Sequence, residues 1–228
     1  MFDGRFRTPI DRAVKPIGSW LRRTGLTPDH LTVVGLVIGI GAAIAIGAGS
    51  LFLGLVLVIL AALPDLLDGA LAKASGAASQ RGAFFDSTVD RITDALLMGG
   101  IAWYLASEES AHMAILPFAV AAVSSVISYQ RAKAESLGLD AKGGLMERAE
   151  RIVLICVGLA FSFLLVPILW VMLVLTSITA IQRFVKVWKQ AAVAPITQAR
   201  IDLRRSRRQS RRVARSERRR TRVPRRRP

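Results

Sequence analysis

Four aspartates lie close together in an otherwise apolar part of the sequence: Asp65, Asp68, Asp86 and Asp90. An ionisable side chain at membrane depth is costly, so residues of this kind usually serve a function. The spacings i, i+3 and i, i+4 place the members of each pair along one face of a helix. If the residues between the pairs form a tight helical hairpin, the two faces meet and the carboxylates surround one site.

Carboxylate oxygens are hard ligands that suit Mg²⁺ or Mn²⁺. Two such ions about 4 Å apart form a clamp for displacement at phosphorus, and they would offset the repulsion among the aspartates. Small residues fill the same stretch, as expected where a ligand must approach the backbone; they are Gly69, Ala70, Ala72, Gly76, Ala77, Ala78 and Gly82. The stretch therefore predicts a site for two Mg²⁺ ions, with Mn²⁺ as the alternative, and for phosphoryl chemistry.

Ordinary structural roles offer a second interpretation of the aspartates. Helix capping, or pairing with Lys73, Arg81 and Arg91 at the membrane surface, would explain one aspartate well. It explains four at this spacing poorly, because charge inside a membrane is costly. Asp94 extends the face of the second pair by one further turn, and we expect it to be an ion-pair or hydrogen-bond partner.

The composition indicates which elements hold these residues. The chain of 228 residues is 52% hydrophobic with a mean hydropathy of +0.42, yet its net charge is +16. These values conflict for a soluble domain and agree with apolar spans joined by basic loops. The single cysteine, Cys156, excludes an intramolecular disulfide and a cysteine zinc site. It lies in an apolar run, where we expect it to pack passively.

Six apolar stretches have lengths near the roughly 20 residues that a membrane-crossing helix needs. They cover residues 31–49, 51–72, 84–106, 111–130, 151–167 and 168–188, with the last boundary placed at Pro167. Gly35 and Gly39 give the first stretch a GxxxG spacing, which allows helices to approach closely. We predict an all-α integral membrane protein in which residues 29–190 form a catalytic domain of six transmembrane helices.

Both ends of the chain are basic. Residues 5–25 combine apolar and basic side chains at helical spacing, which predicts an amphipathic interfacial helix within residues 1–28; a solvated helix is the alternative. This segment lacks the uninterrupted apolar region of a signal peptide. Residues 191–228 are arginine-rich from Arg200 onward, which predicts a disordered cytoplasmic tail attracted to anionic membrane lipid. No specific nucleic-acid partner is expected, because aromatic residues do not alternate with the arginines.

Loop charges predict the orientation in the membrane. The joints at 49–50 and 166–167 are uncharged, and the joint at 107–112 carries two glutamates. Basic residues collect on the other side, as Lys73, Arg81, Arg131, Lys133, Lys142, Arg148 and Arg151. By the positive-inside rule this is a multi-pass protein of the cell membrane whose site and both termini face the cytoplasm.

A second group of charged residues occupies positions 129–154. Arg131, Lys133, Arg148 and Arg151 flank a glycine-containing loop, and Arg183 lies at the same predicted end of the last span. Together they could line a basic pocket for a phosphorylated acceptor, whose dianion needs several fixed cations. Positive charge that merely flanks a span explains one or two of these residues, and it explains their alternation with Glu135, Glu147 and Glu150 less well.

The aspartate stretch resembles the signature of the CDP-alcohol phosphatidyltransferases, D-x2-D-G-x2-A-R-x8-G-x3-D-x3-D. Every spacing is intact, and the matching residues are Asp65, Asp68, Gly69, Ala72, Gly82, Asp86 and Asp90. Lys73 stands where the signature has arginine, so the charge is kept without the bidentate fork. The resemblance implies that a CDP-linked lipid binds with its diphosphate on two Mg²⁺ ions held by the four aspartates. It also implies that Asp90 acts as general base on an acceptor alcohol and that CMP leaves.

Further positions follow from the same resemblance. The segment LTPDHLT at 26–32 is similar to the start of the family's first span, which implies that Asp29 and Thr32 contact the nucleotide. Ser79 falls where the family places a polar contact. For Thr32 and Ser79 the alternative is a hydroxyl that satisfies backbone groups at a helix end. The rest of the implied CDP-lipid site is Gly69, Ala72, Lys73 and Gly82.

The basic segment resembles bacterial phosphatidylinositol phosphate synthases. RAKAE at 131–135 matches a K-A-R-A-E element with its basic residues exchanged, and GLMERAER at 144–151 matches an element ending in E-R-P-E-R, with Ala149 in place of proline. Gln182 and Arg183 match as well. The resemblance implies CDP-diacylglycerol as the donor, 1L-myo-inositol 1-phosphate as the acceptor, phosphatidylinositol phosphate as the product, and a homodimer.

Two other functions stay open on the sequence. With glycerol 3-phosphate as acceptor, the protein would be a phosphatidylglycerophosphate synthase. A cation transporter, from a different class, would bind a permeating ion on the aspartates. A transporter would carry charge deep in several spans, whereas the fourth and sixth stretches contain no acidic residue.

Overall fold

Every regular element in the described part of the chain is a helix. A computed structural model describes residues 27–75, 79–192 and Leu203, with Pro28 and residues 64–75 described by their backbone alone. Its helices are α1 (Pro28–Gly47), α2 (Leu51–Ser75), α3 (Gln80–Glu108), α4 (Ile115–Ser136), α5 (Arg148–Ala160) and α6 (Ser162–Ala191), with a 3₁₀ turn at Ala111–Ala114. The all-α prediction is confirmed for these residues. The predicted interfacial helix at 5–25 and, apart from Leu203, the predicted tail from Arg200 lie outside them.

A side-chain cap fixes the start of α1. Thr27 precedes the helix in an extended conformation, its Oγ1 accepts from the backbone N–H of His30 at 3.3 Å, and its own N–H donates to His30 Nδ1 at 3.4 Å. Pro28 follows at the first helical position, where its missing N–H costs no hydrogen bond. The cap therefore places Asp29 in the first turn of the helix.

Glycines allow α1 to pack closely against its neighbours, α2 and α3. A Cβ on Gly100 of α3 would collide with the backbone of Ala43 in α1, and a Cβ on Gly47 would collide with the ring of Trp103. A Cβ on Gly39 would lie 2.9 Å from Cγ2 of Thr93. The second glycine of the GxxxG spacing is therefore used for packing within the chain.

The core lies between these helices and the later ones. It contains large side chains that are almost fully buried in a single cluster, among them Ile46, Ile101, Leu105, Val120, Leu165, Leu169 and Met172.

 

Leu169 and Met172 of α6 are fully buried in this cluster, and Cys156 of α5 packs against it partly buried, as its apolar surroundings predict. Each of the helices α1 to α6 contributes residues to the cluster, including Ala42 from α1 and Val58 from α2. Close van der Waals packing of these side chains holds the helices together, because lipid tails are as apolar as the side chains and give no hydrophobic driving force between helices.

The boundary between the last two helices differs from the predicted one. The chain breaks at Phe161, whose φ of −126° and ψ of 87° are not helical, and Pro167 lies inside α6 rather than at its start. Helices in apolar surroundings tolerate an internal proline, because neighbouring groups satisfy the carbonyl that it leaves free. Gly158 allows the tight return, since a Cβ there would lie 2.9 Å from Cδ1 of Leu165. The predicted division into 151–167 and 168–188 was therefore wrong by about two turns.

Two joints between helices and the last turns of α3 lie together at one end of these helices. They line a shallow groove of about 610 Å³, formed by Gly49, Ser50, Leu51, Phe52, Leu53, Tyr104, Leu159, Ala160 and Ser162. The α1–α2 joint, the last turns of α3 and the α5–α6 joint are thus neighbours. Helix α2 begins at this groove and runs away from it, so its C-terminal part, which carries Asp65 and Asp68, is at the other end of the helix.

Three of the described helical segments are long and apolar enough to cross a membrane: Asp29–Gly47, Ala111–Ser136 and Ser162–Ala191. The apolar part of α2, Leu51–Leu63, is shorter, and charged residues occupy the N-terminal half of α3. Large apolar side chains such as Phe52, Phe118 and Phe163 are exposed, as expected for a surface that faces lipid. These features are typical of a membrane protein.

The chain divides into two compact units after Phe184. The first contains α1 to α5 and most of α6, together with the candidate site. The second begins at Val185, and its described part continues as helix to Ala191. Within that second unit, Nε2 of Gln190 donates to the carbonyl of Lys186 at 3.3 Å.

Candidate functional site

The two aspartate pairs lie on consecutive helices, as the spacing predicts. Asp65 and Asp68 belong to the C-terminal part of α2, where the structure describes the backbone alone. Asp86 and Asp90 are half-buried on α3. Residues 76–79 connect the two helices, and a connection this short joins antiparallel neighbours. Residues 76–78 lie outside the described residues, so the tight hairpin and the meeting of the two aspartate faces stay a prediction.

Ser79 caps the helix that carries the second pair. Its Oγ accepts from the backbone N–H of Gly82 at 3.0 Å, and its own backbone is extended. This bond satisfies one of the N–H groups that the first turn of a helix leaves unpaired. The alternative interpretation of Ser79, a hydroxyl that satisfies backbone groups at a helix end, is confirmed.

Residues predicted to contact the CDP-lipid come together from two helices. A Cβ on Gly82 would lie 3.6 Å from Oδ1 of Asp29 and 3.2 Å from Oγ of Ser79. Glycine at position 82 therefore keeps open the space beside both polar side chains. Thr32 is buried on α1 one turn after Asp29. Gly69, Ala72 and Lys73 lie on α2, and their side chains are outside the described part.

Arginines from α5 reach the aspartate face of α3. Nη1 of Arg148 lies 2.9 Å from Oδ1 of Asp90, and its Nε donates to Oδ1 of Asp94 at 3.1 Å. Nη2 of Arg151 donates to Oδ2 of Asp94 at 3.1 Å, and only 6% of the Arg151 side chain is exposed. The expected role of Asp94 as an ion-pair partner is confirmed.

Arg183 joins three parts of the first unit. Its Nη1 donates to the carbonyl of Ile127 on α4, and its Nη2 donates to the carbonyl of Gly143, both at 3.1 Å. Its guanidinium also lies 3.6 Å from Oε1 of Glu147, and 4% of its side chain is exposed. The Arg183 side chain on α6 thus connects the loop between α4 and α5 to α4.

Thr179, which the sequence analysis did not single out, binds the same loop between α4 and α5. Oγ1 of Thr179, which is fully buried, accepts from the backbone N–H of Met146 at 3.0 Å. Gly144 packs against the Thr179 methyl group so closely that a Cβ there would collide with it. Gly143 adopts a φ of +94°, which favours glycine. The signal in the sequence was the spacing, since Thr179 lies one turn before Arg183 on the same helix face.

The remaining basic residues of the predicted acceptor site are exposed on α4. Nε of Arg131 pairs with Oε1 of Glu135 at 3.0 Å, and Lys133 is exposed two residues further on. The charges of both Arg131 and Arg151 act on Arg183. The structure therefore gathers the predicted arginines into one region, with three of them buried or half-buried and Arg131 at its surface.

The donors at this site fit hard cations. Asp86 and Asp90 present half-buried carboxylates one helical turn apart, and oxygen ligands of this type suit Mg²⁺ and Mn²⁺. Among the side chains that the structure describes, no group of three or more His, Cys, Asp or Glu residues is close enough to hold a metal. The other two predicted ligands, Asp65 and Asp68, belong to the segment that is described by its backbone alone.

Comparison with known proteins identifies the family. The CDP-alcohol phosphatidyltransferase family model matches residues 25–188. This range includes α1, the two aspartate pairs and the basic residues from Arg131 to Arg183. The chain belongs to the CDP-alcohol phosphatidyltransferases. As a member of this family it is an enzyme.

Curated relatives within this family are similar along most of their length. The phosphatidylinositol phosphate synthase of Mycobacterium tuberculosis is 36% identical over 196 residues, which cover 80% of this chain and 88% of the relative. The phosphatidylinositol phosphate synthase of Streptomyces avermitilis is 36% identical over 207 residues, which cover 85% of each chain.

Solved structures show the same similarity. The crystal structure of the Mycobacterium tuberculosis phosphatidylinositol phosphate synthase with CDP-DAG bound has a TM-score of 0.71 and 35% sequence identity. The match covers 78% of this chain and 94% of that one. A second crystal structure of that synthase, in complex with manganese and citrate, also has a TM-score of 0.71, with coverages of 77% and 88%.

Proposed function

We propose that this phosphatidyltransferase transfers the phosphatidyl group of CDP-diacylglycerol to 1L-myo-inositol 1-phosphate, giving phosphatidylinositol phosphate and CMP. The observation that carries the proposal is the 2.9 Å contact between Arg148 and Asp90. This contact joins Arg148, a predicted acceptor-binding cation, to Asp90, the last aspartate of the signature. The two residues are far apart in the sequence. The similar synthases of Mycobacterium tuberculosis and Streptomyces avermitilis support the same acceptor.

The donor would lie between the N-terminal ends of α1 and α3. Asp29, Ser79 and Gly82 meet there, and the two side chains border the space that Gly82 leaves open. Asp29 and Thr32 would contact the nucleotide, while Lys73 would place a positive charge near the diphosphate. The remaining small positions, Gly69 and Ala72, would let the lipid-linked diphosphate approach the α2 backbone. The bound CDP-DAG in the similar crystal structure supports this class of donor.

Two Mg²⁺ ions, with Mn²⁺ as the alternative, would be held by Asp65, Asp68, Asp86 and Asp90. When bound, they would neutralise the diphosphate and stabilise the charge that develops on the leaving CMP. The half-buried carboxylates of Asp86 and Asp90 support this assignment. So does the manganese in the similar crystal structure.

Asp90 would act as the general base in the transfer. The acceptor hydroxyl oxygen would form a bond to the lipid-side phosphorus, the bond from that phosphorus to the CMP oxygen would break, and the hydroxyl proton would pass to an Asp90 oxygen. Arg148 supports this role, because its bond to Oδ1 orients the Asp90 carboxylate. The side chain would need to lie within about 3 Å of the acceptor hydroxyl.

The acceptor phosphate would bind among the basic residues beside Asp90. A phosphate dianion is held best by several arginines in fixed orientations. Arg148 and Arg151 are fixed by Asp94, and Arg183 is fixed by two carbonyl groups. Arg131 and Lys133 would close the site from its exposed side. A neutral polyol would not need this set of cations.

The membrane arrangement that agrees with this site has six crossings, with both termini and the site at the cytoplasmic face of the cell membrane. The grouping of two uncharged joints with the last turns of α3 at one end supports it, since basic residues then lie at the other end. The protein would act as a homodimer. Light scattering of the purified protein in detergent would give a protein mass of twice 24.7 kDa for that dimer.

An assay of CMP release tests the proposed function. Membranes that contain the protein, supplied with CDP-diacylglycerol, Mg²⁺ and inositol phosphate, should release CMP, and Asp90→Asn should remove at least about 99% of the activity, because a general base contributes roughly 10²-fold or more. Glu108→Gln, the same type of change at the exposed far end of α3, is the control and should keep full activity.

The acceptor is decided by parallel assays with inositol phosphate and glycerol 3-phosphate. A higher kcat/KM with inositol phosphate is the expected result. A preference for glycerol 3-phosphate would replace the acceptor and keep the reaction class. Full turnover by Asp90→Asn would contradict the assignment of the base.

A further inference from the structure

Asp94 holds two arginines with one carboxylate. Its Oδ1 accepts from Nε of Arg148 and its Oδ2 accepts from Nη2 of Arg151, each at 3.1 Å. Nη1 of Arg91 lies 4.0 Å from Oδ2. Each carboxylate oxygen is thus committed to a different arginine of α5, and Asp94 links the aspartate helix α3 to the helix that carries the acceptor cations.

The two arginines depend on this carboxylate. Arg151 is buried, and a buried charge is strongly destabilising unless it is paired and hydrogen-bonded. Arg148 binds Asp90 through Nη1 while its Nε binds Asp94, so Asp94 sets the plane of that guanidinium. Without the Asp94 carboxylate, the like charges of Arg148 and Arg151 would lie side by side, and of the carboxylates described above only Asp90 would remain to offset them.

Asp94 does not itself have room for the acceptor. The cavity that borders it is lined by the polar residues Arg91, Asp94, Ser124, Ser125 and Arg151 together with apolar residues, and its volume is about 40 Å³. A space of this size holds at most a few water molecules and is too small for a phosphorylated polyol. We therefore expect Asp94 to act on the acceptor through the arginines that it holds.

We propose that Asp94 is the positioning residue of the acceptor-phosphate site, which rests on the proposed function of the enzyme. It fixes the orientation of Arg148 and Arg151 before the acceptor arrives. A binding site whose side chains are already ordered pays less conformational entropy when its ligand binds. Asp94 thereby favours phosphorylated acceptors over neutral polyols, and the donor, which lies toward Asp29 and Gly82, is unaffected.

Steady-state kinetics with each substrate varied separately test the proposal. Asp94→Asn should raise the KM for the phosphorylated acceptor about tenfold or more, because the amide weakens two charge-assisted bonds. The KM for CDP-diacylglycerol should change less than about threefold. Any fall in kcat at saturating acceptor should be smaller than the rise in the acceptor KM, because Arg148 keeps its own contact with Asp90. Asp94→Glu restores the charge and should recover part of the acceptor affinity. Glu108→Gln, on the same helix and exposed, is the control and should change neither constant.

Binding of inorganic phosphate provides a readout that needs no turnover. Phosphate should raise the melting temperature of the wild-type protein, and this stabilisation should shrink in Asp94→Asn. Stabilisation by CDP-diacylglycerol should remain. If Asp94→Asn does not fold, the same measurements on Asp94→Glu decide the question, because the extra methylene displaces both carboxylate oxygens from the arginines.

The outcomes separate this inference from the proposed function. An equal rise in both KM values, or a loss of kcat with an unchanged acceptor KM, would overturn the positioning role and leave the enzyme's function intact. If wild-type protein prefers glycerol 3-phosphate, the proposed acceptor fails, and the positioning role is then decided by the KM for glycerol 3-phosphate. If neither acceptor is used, the proposed function fails, and the phosphate-induced change in melting temperature decides the role of Asp94.

Discussion

Lys73 is the residue at which this chain departs from the family signature. Lysine and arginine carry the same charge, but the planar guanidinium can bind two oxygens of a phosphate at once, whereas the ammonium binds as a point charge. The position lies on α2, five residues after Asp68 and on the predicted hairpin that carries the aspartates. A change at this residue should therefore act on the donor diphosphate and not on the acceptor.

Lys73→Arg should lower the KM for CDP-diacylglycerol about three- to tenfold, since a bidentate pair is stronger than a single contact by about 1 kcal/mol. The KM for the acceptor should stay the same. Lys142→Arg, the same change at an exposed lysine in the loop between α4 and α5, is the control. An unchanged donor KM in Lys73→Arg would show that residue 73 does not contact the diphosphate.

The arginines show how far residue types predict a site. The sequence indicated which cations would gather, because their number and alternation with glutamates were visible. It could not indicate their partners, since the bonds of Arg183 to Ile127 and Gly143 depend on how α4, α6 and the loop pack together. A buried arginine that holds a loop and one that binds a phosphate have the same signature in a sequence.

At the scale of helices, the contact between α1 and α3 positions the donor side of the site. Gly100 meets the backbone of Ala43, and Asp29 of α1 then lies beside Gly82 of α3. A side chain at position 100 would push the two helices apart. It would therefore disturb both the packing and the space beside Gly82.

Gly100→Ala should lower the free energy of unfolding by about 1 to 3 kcal/mol, as overpacking in a tight contact does. In a protein of this size the melting temperature should fall by roughly 2 to 4 °C per kcal/mol. Gly99→Ala is a matched control, because a Cβ at the neighbouring position meets nothing within 4 Å. Thermal unfolding in detergent should show a loss for Gly100→Ala alone; equal melting temperatures for the two variants would refute the close contact.

Apolar runs predicted the helices well, and local chemistry decided where the prediction was wrong. The uncharged joint at 49–50 and the acidic joint at 107–112 were found where composition placed them. The last joint was misplaced, because Pro167 was taken as a helix boundary and lies inside α6. The true break at Phe161 has no proline or glycine of its own, and the close packing of Gly158 on Leu165 that accompanies it is a tertiary contact.

For the whole chain, the distribution of charge between the two ends of the helices predicts the orientation in the membrane. The groove at one end is lined by Ser50, Tyr104 and Ser162 among others, and none of the residues that line it is charged. The opposite end carries Asp90, Asp94 and the arginines that bind them. Since lysine and arginine favour the cytoplasmic side, the substrates should reach the site from the cytoplasm.

Cysteine labelling in sealed vesicles of known orientation tests this arrangement. Cys156→Ala removes the native thiol, and single cysteines then replace Ser50, Glu109 and Ser162 at one end and Lys142 at the other, all of them exposed positions. A membrane-impermeant maleimide should label the first three from the outer side and Lys142→Cys from the cytoplasmic side. Ser162→Cys is the most informative position, because α5 has 13 residues, about 20 Å of helix, against a bilayer core of about 30 Å. Its labelling together with Ser50→Cys would show that the chain completes the crossing despite the short helix, whereas labelling together with Lys142→Cys would show that α5 turns back within the membrane and that the six-crossing arrangement is wrong.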